Sequence, residues 1–290
     1  HMKSPPFDYY CPTSVAEALQ LLREENVIVL AGGQSLVPML NFRLMSPTAL
    51  VDLNRVSPLG DMHVSASHIS LGPMVRQRML ERDDALRSIA PIFEEAVKQI
   101  GHRQTRNRGT IGGSLCHLDP SAELPALCVL HDARLTLESF KSKRELSIHD
   151  FIKGAMSNDL ASGEILTRIE IDPWPKGHGY AFLEHARRLG DFALSSASCL
   201  MTIDRNGAVD RLALCLGGLG DKPVRLVKLE AAAKGHSITQ DIMDAADEEA
   251  RSCQADGNLH ASADFKRQIA ATLAKRALRM AYERVQRGTP

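Results

Sequence analysis

Val27-Ile28-Val29-Leu30-Ala31-Gly32-Gly33-Gln34-Ser35 is a β-branched run that ends in a double glycine and a serine. The run reads as a buried strand. The glycine pair reads as a turn that can take positive φ and let backbone approach a ligand closely. Upstream, Ser14 and Glu17 form a capping box that opens a helix through Glu24, with Val15, Leu19 and Leu22 as its apolar stripe. Downstream, residues 36–44 read as a short helix and residues 49–53 as the next strand. This alternation is that of an α/β or α+β unit. Two readings of the turn stay open on local grounds. It is either a plain strand-to-helix connection or an anion cradle, in which free N–H groups, the next helix N-terminus and the Ser35 hydroxyl face a ligand. It does not meet the G-x-G-x-x-G fingerprint, and no acidic ribose partner follows.

The whole chain sets wider bounds. Its 290 residues suggest two domains or three small ones. Apolar residues make up 44% and charged residues 24%, as in ordinary globular proteins. Lys plus Arg (35) balances Asp plus Glu (35), which argues against a general affinity for nucleic acid or membrane. Cys11, Cys116, Cys128, Cys199, Cys215 and Cys253 are too scattered for a zinc or iron–sulfur cage and read as reduced residues of a cytoplasmic protein. No apolar run reaches the ~20 residues of a membrane span. No signal peptide opens the chain, and His1-Met2 reads as a cloning remnant.

Further along, strands are expected at residues 62–65 and 69–72, and helices at 74–80 and 85–100. Residues 122–130 follow as a helix and 134–138 and 165–171 as strands. Residues 172–179 hold two prolines and two glycines and read as a linker. Beyond it, strands are expected at 182–188, 197–204 and 209–216, with Asn206-Gly207 as a hairpin turn. Helices are expected at 226–234, 241–251 and 263–287, the last with Ile269, Leu273, Leu278 and Tyr282 in its core face. The acidic run at 241–249 reads as a solvated helix face.

Two more stretches carry possible chemistry. Gly101-His102-Arg103-Gln104-Thr105-Arg106-Asn107-Arg108-Gly109-Thr110-Ile111-Gly112-Gly113-Ser114 sets a second glycine pair beside three arginines. It is read either as a solvated basic loop or as a second set of unshielded backbone donors that meets the first on one diphosphate, with the arginines supporting the loop or neutralising charge. In Asp119-Pro120-Ser121-Ala122-Glu123, Asp119 or Ser121 caps the next helix, with Glu123 in its first turn. Either capping alone accounts for these polar residues or, if the glycine loop holds a nucleotide, Glu123 is placed to accept a ribose or ribityl hydroxyl. No nucleophile, metal pair or acid–base constellation emerges, so any chemistry belongs to a bound cofactor.

Taken together, residues 31–38 with Asn41-Phe42-Arg43-Leu44, then residues 100–114, 119–125 and 187–193, resemble the FAD-binding medium subunits of molybdenum hydroxylases, the carbon monoxide and xanthine dehydrogenase group. The resemblance covers essentially the whole chain. It implies an α+β fold with two FAD-binding subdomains of the vanillyl-alcohol-oxidase type, at 3–57 and 58–177. A C-terminal domain at 178–290 follows, with a small antiparallel sheet and a helical bundle. It implies FAD held by Ala31, Gly32, Gly33, Gln34, Ser35 and Leu36, by Thr110, Ile111, Gly112, Gly113 and Ser114, and near Glu123. Ile165 or Leu166 would pack by the flavin, and Phe192 would cover its ring. The cysteine-rich insertion of the benzoyl-CoA reductase branch is missing. The implied function is electron transfer through FAD, from the iron–sulfur clusters of a small partner to an external acceptor. A large partner would hold the molybdenum cofactor and choose the substrate, and the assembly would be a dimer of heterotrimers. A stand-alone FAD-dependent reductase or oxidase, and a flavin-free assembly or nucleotide-binding module, are the alternatives.

Overall fold

In the computed structural model, which describes residues 3–288, the first apolar runs pair in parallel. His1 and Met2 lie outside the described residues. The first unit contains β1 (Asp8–Tyr10), α1 (Val15–Leu21), β2 (Val27–Leu30), α2 (Leu36–Asn41) and β3 (Ala49–Asp52). Ser14 caps α1 as expected: its Oγ accepts from Glu17 N, and the Glu17 carboxylate accepts from Thr13 N. The helix stops short of Glu24. Its last turn tightens to three-residue bonds, and Asn26 takes φ 59° to enter β2. The sheet order β1-β3-β2 leaves β2 at an edge. The expected buried strand is therefore half-buried throughout, and it is β3, between two neighbours, that is fully buried.

The second unit runs through β4 (Met62–Val64), β5 (Ile69–Leu71), α3 (Gln77–Arg82), α4 (Asp84–Ile89), α5 (Ile92–Gln99), α6 (Arg103–Arg108), α7 (Ile111–His117) and α8 (Glu123–Leu130). It continues with β6 (Arg134–Glu138), β7 (Lys143–Ser147), α9 (Ile148–Phe151), β8 (Ile152–Gly154), β9 (Ser157–Asn158) and β10 (Ile165–Ile171). β10 is the middle of an antiparallel sheet ordered β4-β5-β10-β6-β7. Its apolar residues face a core built on α5 and α8, where Phe93, Leu124, Leu127 and Ile169 are sealed from solvent.

The expected single helix at 85–100 is two helices. Pro91 has no N–H to continue α4, and it opens α5. The helix expected from residue 74 starts at Gln77, because Met74 lies in a turn closed by Val75 N on Gly72 O, and Arg76 is extended and bridges Thr110. The glycine- and arginine-rich stretch is not a loop: it forms α6 and α7, parted by Gly109. The stretch at 172–179 is pinned rather than slack. Asp172 takes two bonds from Arg134, Arg211 stacks on Trp174 at 4.0 Å, and Trp174 and His178 are buried.

The third unit is β11 (Gly179–His185), β12 (Ser195–Ile203), β13 (Val209–Gly217), β14 (Val224–Arg225), α10 (Val227–Ala233), α11 (Gln240–Ser252) and α12 (Ala263–Gln286). The four strands form an antiparallel sheet in chain order, and the Asn206-Gly207 turn joins β12 to β13 with Gly207 at φ 79°. β11 begins three residues earlier than expected, where Gly179 lets it lie directly on the α12 backbone at Ala281. Leu273 and Leu278 of α12 are buried, and Ile269 and Tyr282 pack at the core margin. The acidic run is only half solvated. Glu249 accepts from the N–H groups of Lys228 and Leu229 at the start of α10, and Asp247 pairs with Arg251 and Lys275. Phe182, Leu200, Ala213 and Cys215 belong to the second core, so the third sheet packs directly on the second unit.

Candidate functional site

The two glycine motifs meet. A Cβ on Gly32 would fall on the Arg108 carbonyl and Gly109 Cα, and Gly113 brings a bare Cα near Ala31. A side-chain network fastens the junction. Asn54 donates to the Ala31 carbonyl, Arg76 donates to the Arg108 carbonyl and to Asn54 Oδ1, and Asp52 accepts from Asn54 and from the Tyr9 hydroxyl.

Between the motifs opens a cavity of about 800 Å³, at the upper end for a small-molecule site. Ala31, Gly32, Gly33, Gln34, Ser35 and Leu36 line it, together with Thr110, Gly112, Gly113, Ser114, Glu123, Ile165, Leu166 and Phe192. Ile111 does not: it is wholly buried in the second core, on the inner face of α7. Phe192 is 74% exposed at the cavity margin, which excludes its reading as a core residue.

The motifs are not equivalent. Among the described residues, the N–H groups of Gly32, Gly33, Gln34 and Ser35 meet no protein acceptor, and Gly33 takes φ 72° to aim the turn. The second motif was expected to offer unshielded donors, and at residues 111–114 it does not. Ile111 N donates to Val75 O, Gly112 N to Pro73 O, Gly113 N to Thr110 Oγ1 and Ser114 N to Thr110 O. A Cβ on Gly112 would strike Pro73, so the protein's own packing already requires this glycine. What α7 gives the cavity is a smooth wall and the Ser114 hydroxyl. Of the three arginines, Arg106 supports the loop, pairing with Glu81 and donating to the carbonyls of Ile100 and Gly101, while Arg103 and Arg108 are exposed.

Neither expected cap starts α8. Asp119 instead accepts from Ser121 N in a local turn, and Ala122 precedes the helix with no side-chain bond. Glu123 is buried in the first turn, and its neighbour is Glu184 of β11. Burial and the adjacent carboxylate hold the Glu123 carboxyl well above the usual carboxylate range, so it keeps its proton and donates to Glu184. Burial pushes Glu184 up to about 7. Glu184, Asn54, Arg76 and Gln77 were not singled out from the sequence. They belong to no motif, and only the fold brings them to the junction.

Comparison with known proteins matches residues 5–175 to the FAD binding domain in molybdopterin dehydrogenase and residues 180–281 to the CO dehydrogenase flavoprotein C-terminal domain. The chain is 35% identical to the 6-hydroxypseudooxynicotine dehydrogenase complex subunit alpha of Paenarthrobacter nicotinovorans, over 98% of this chain and 97% of that protein. It is 31% identical to the carbon monoxide dehydrogenase medium chain of Hydrogenophaga pseudoflava, over 98% and 99%. Among solved structures, quinoline 2-oxidoreductase from Pseudomonas putida 86 superposes with a TM-score of 0.92 at 33% identity, covering 97% of this chain and 99% of that one.

Proposed function

Because the chain belongs to the FAD-binding family of molybdopterin dehydrogenases and ends in a CO dehydrogenase flavoprotein C-terminal domain, we propose that the cavity between the glycine motifs is its FAD site. The protein is the FAD-binding medium subunit of a molybdenum hydroxylase, an oxidoreductase that works with a large molybdenum-cofactor subunit and a small iron–sulfur subunit. Bound FAD supplies the relay that takes electrons from the partner's clusters and hands them to an external acceptor.

One observation carries the site assignment: the unpaired N–H groups of residues 32–35 face the same cavity as the bare wall of α7. These donors would hold the diphosphate, with Ser35 and Ser114 adding hydroxyls. Glu123, its proton committed to Glu184, would accept from a sugar hydroxyl. Ile165 and Leu166 would give the ring an apolar bed, and Phe192 at the margin would cover it. Ile111, being in the core, positions α7 and touches no ligand.

The protein's share of the work is to bind, bury and orient. Relatives of matching length are named for substrates as unlike as carbon monoxide, caffeine and nicotine, which supports substrate selection in the large partner. We also divide the chain into the subdomains 3–57, 58–177 and 178–290, each centred on one core although Leu59, Met74 and Ile165 join the first core and Phe182, Leu200, Ala213 and Cys215 the second, and read the complex as a dimer of heterotrimers. Among the described residues no helix is long and apolar enough to cross a membrane, and the six cysteines are free, which supports a cytoplasmic setting.

The test is to purify the chain with its partners, denature it and chromatograph the released flavin. Stoichiometric FAD is expected. FMN, or no flavin from a folded complex, would overturn the assignment.

A further inference from the structure

Three buried side-chain atoms lack partners among the described residues: Gln77 Oε1, His178 Nε2 and Glu184 Oε2. Of these residues only Gln77 lines the cavity. It is 7% exposed, and its Oε1 is buried with no hydrogen-bond partner among the described residues. The amide lies flat on Gly109, where an added Cβ would meet Oε1, Cδ and Nε2. Its backbone fixes it there, since Gln77 N donates to Gly109 O.

Burying an amide oxygen without a partner is unfavourable, and a buried polar group in a folded protein normally has one. An apolar side chain of the same shape would fill the place without that cost. The position is also informative. Gly109 is the residue on which Gly32 packs, so Gln77 stands beside the unpaired N–H groups of the first motif. From Gly109, α6 leads back to Gly101, which Gly190 faces at the end of the cavity that holds Phe192. Gln77 therefore lines the cavity next to the anion cradle, and α6 runs from there towards the aromatic end.

We propose that Gln77 is a further binding residue of this site, its carboxamide pairing with a hydroxyl of the polyol chain that joins the diphosphate of FAD to its ring. A carboxamide offers both a donor and an acceptor, as a hydroxyl does, so either rotamer of the amide makes the bond. The inference rests on the cavity being the FAD site.

The experiment titrates FAD into the flavin-free full chain, for wild type, Gln77→Met and Gln77→Leu, and measures thermal unfolding of each without flavin. Both variants are expected to unfold no lower than wild type and to bind FAD about tenfold more weakly, ~1.4 kcal/mol. Unchanged affinity in a folded variant would overturn the proposal. So would a loss of flavin-free stability in both variants, which would make the amide a packing element. If wild type itself takes up no FAD, alone or with its partners, the site assignment fails first and this inference falls with it.

Discussion

Gly32 and Arg108 lie back to back, so close that the first motif's α-carbon leaves no room for a methyl group against the second motif's carbonyl. Arg76 and Asn54 brace the same contact from the side. The glycines are thus demanded by the protein's own packing before any ligand arrives.

Gly32→Ala and Gly112→Ala should each destabilise the flavin-free chain, by ~1–3 kcal/mol as overpacked sites do. Gly112→Ala drives a methyl into Pro73, and Gly32→Ala pushes the motifs apart. Thermal unfolding without cofactor decides the matter. An unchanged midpoint, with only FAD binding lost, would show that the glycines serve the ligand alone.

Stability should fall on both sides of a mid-range pH. Glu184 titrates near 7 in the folded chain, above its unfolded value of 4.5, so the folded state is favoured at low pH and loses that advantage as pH rises through 7. His131 is fully buried and pushed down to about 4. Its contribution is complete above its unfolded value of 6.5 and is lost as pH falls from there towards 4. Glu184→Gln should therefore raise the unfolding midpoint at pH 8 more than at pH 5, and His131→Gln should make the acid limb shallower. Equal shifts at both pH values would remove Glu184 as the source of the alkaline limb.

Phe192→Ala should leave the unfolding midpoint of the flavin-free chain within ~0.5 kcal/mol of wild type, as expected of an exposed side chain. Bound flavin should become more open to a collisional quencher such as iodide. A large loss of stability would return Phe192 to the core.

Periodicity and turn chemistry made much of this legible from sequence. The cap at Ser14, the strand at Ile165–Ile171 and the turn at Asn206-Gly207 were local signals, and local signals survive folding. The half-burial of Val27–Leu30 was not legible, because it depends on β2 being an edge strand beside a cavity. In the site, the glycine motifs and the family resemblance pointed to residues that line the cavity, Ile111 excepted, but could not tell a spent donor from a free one. Gly112 and Gly33 look alike in the chain. The N–H of Gly112 is committed to Pro73, and that of Gly33 is open. Glu184 and Gln77 were invisible for the same reason: their meaning lies in partners, or the lack of them, far away in sequence.

The walls of the cavity come from stretches as distant as Leu22, Gly113, Leu166 and Phe192, drawn from all three units. No fragment of the chain can own such a site. Anything that binds in it favours, by mass action, the arrangement in which every unit is docked. A chain without its ligand should therefore open at these seams more readily than a loaded one.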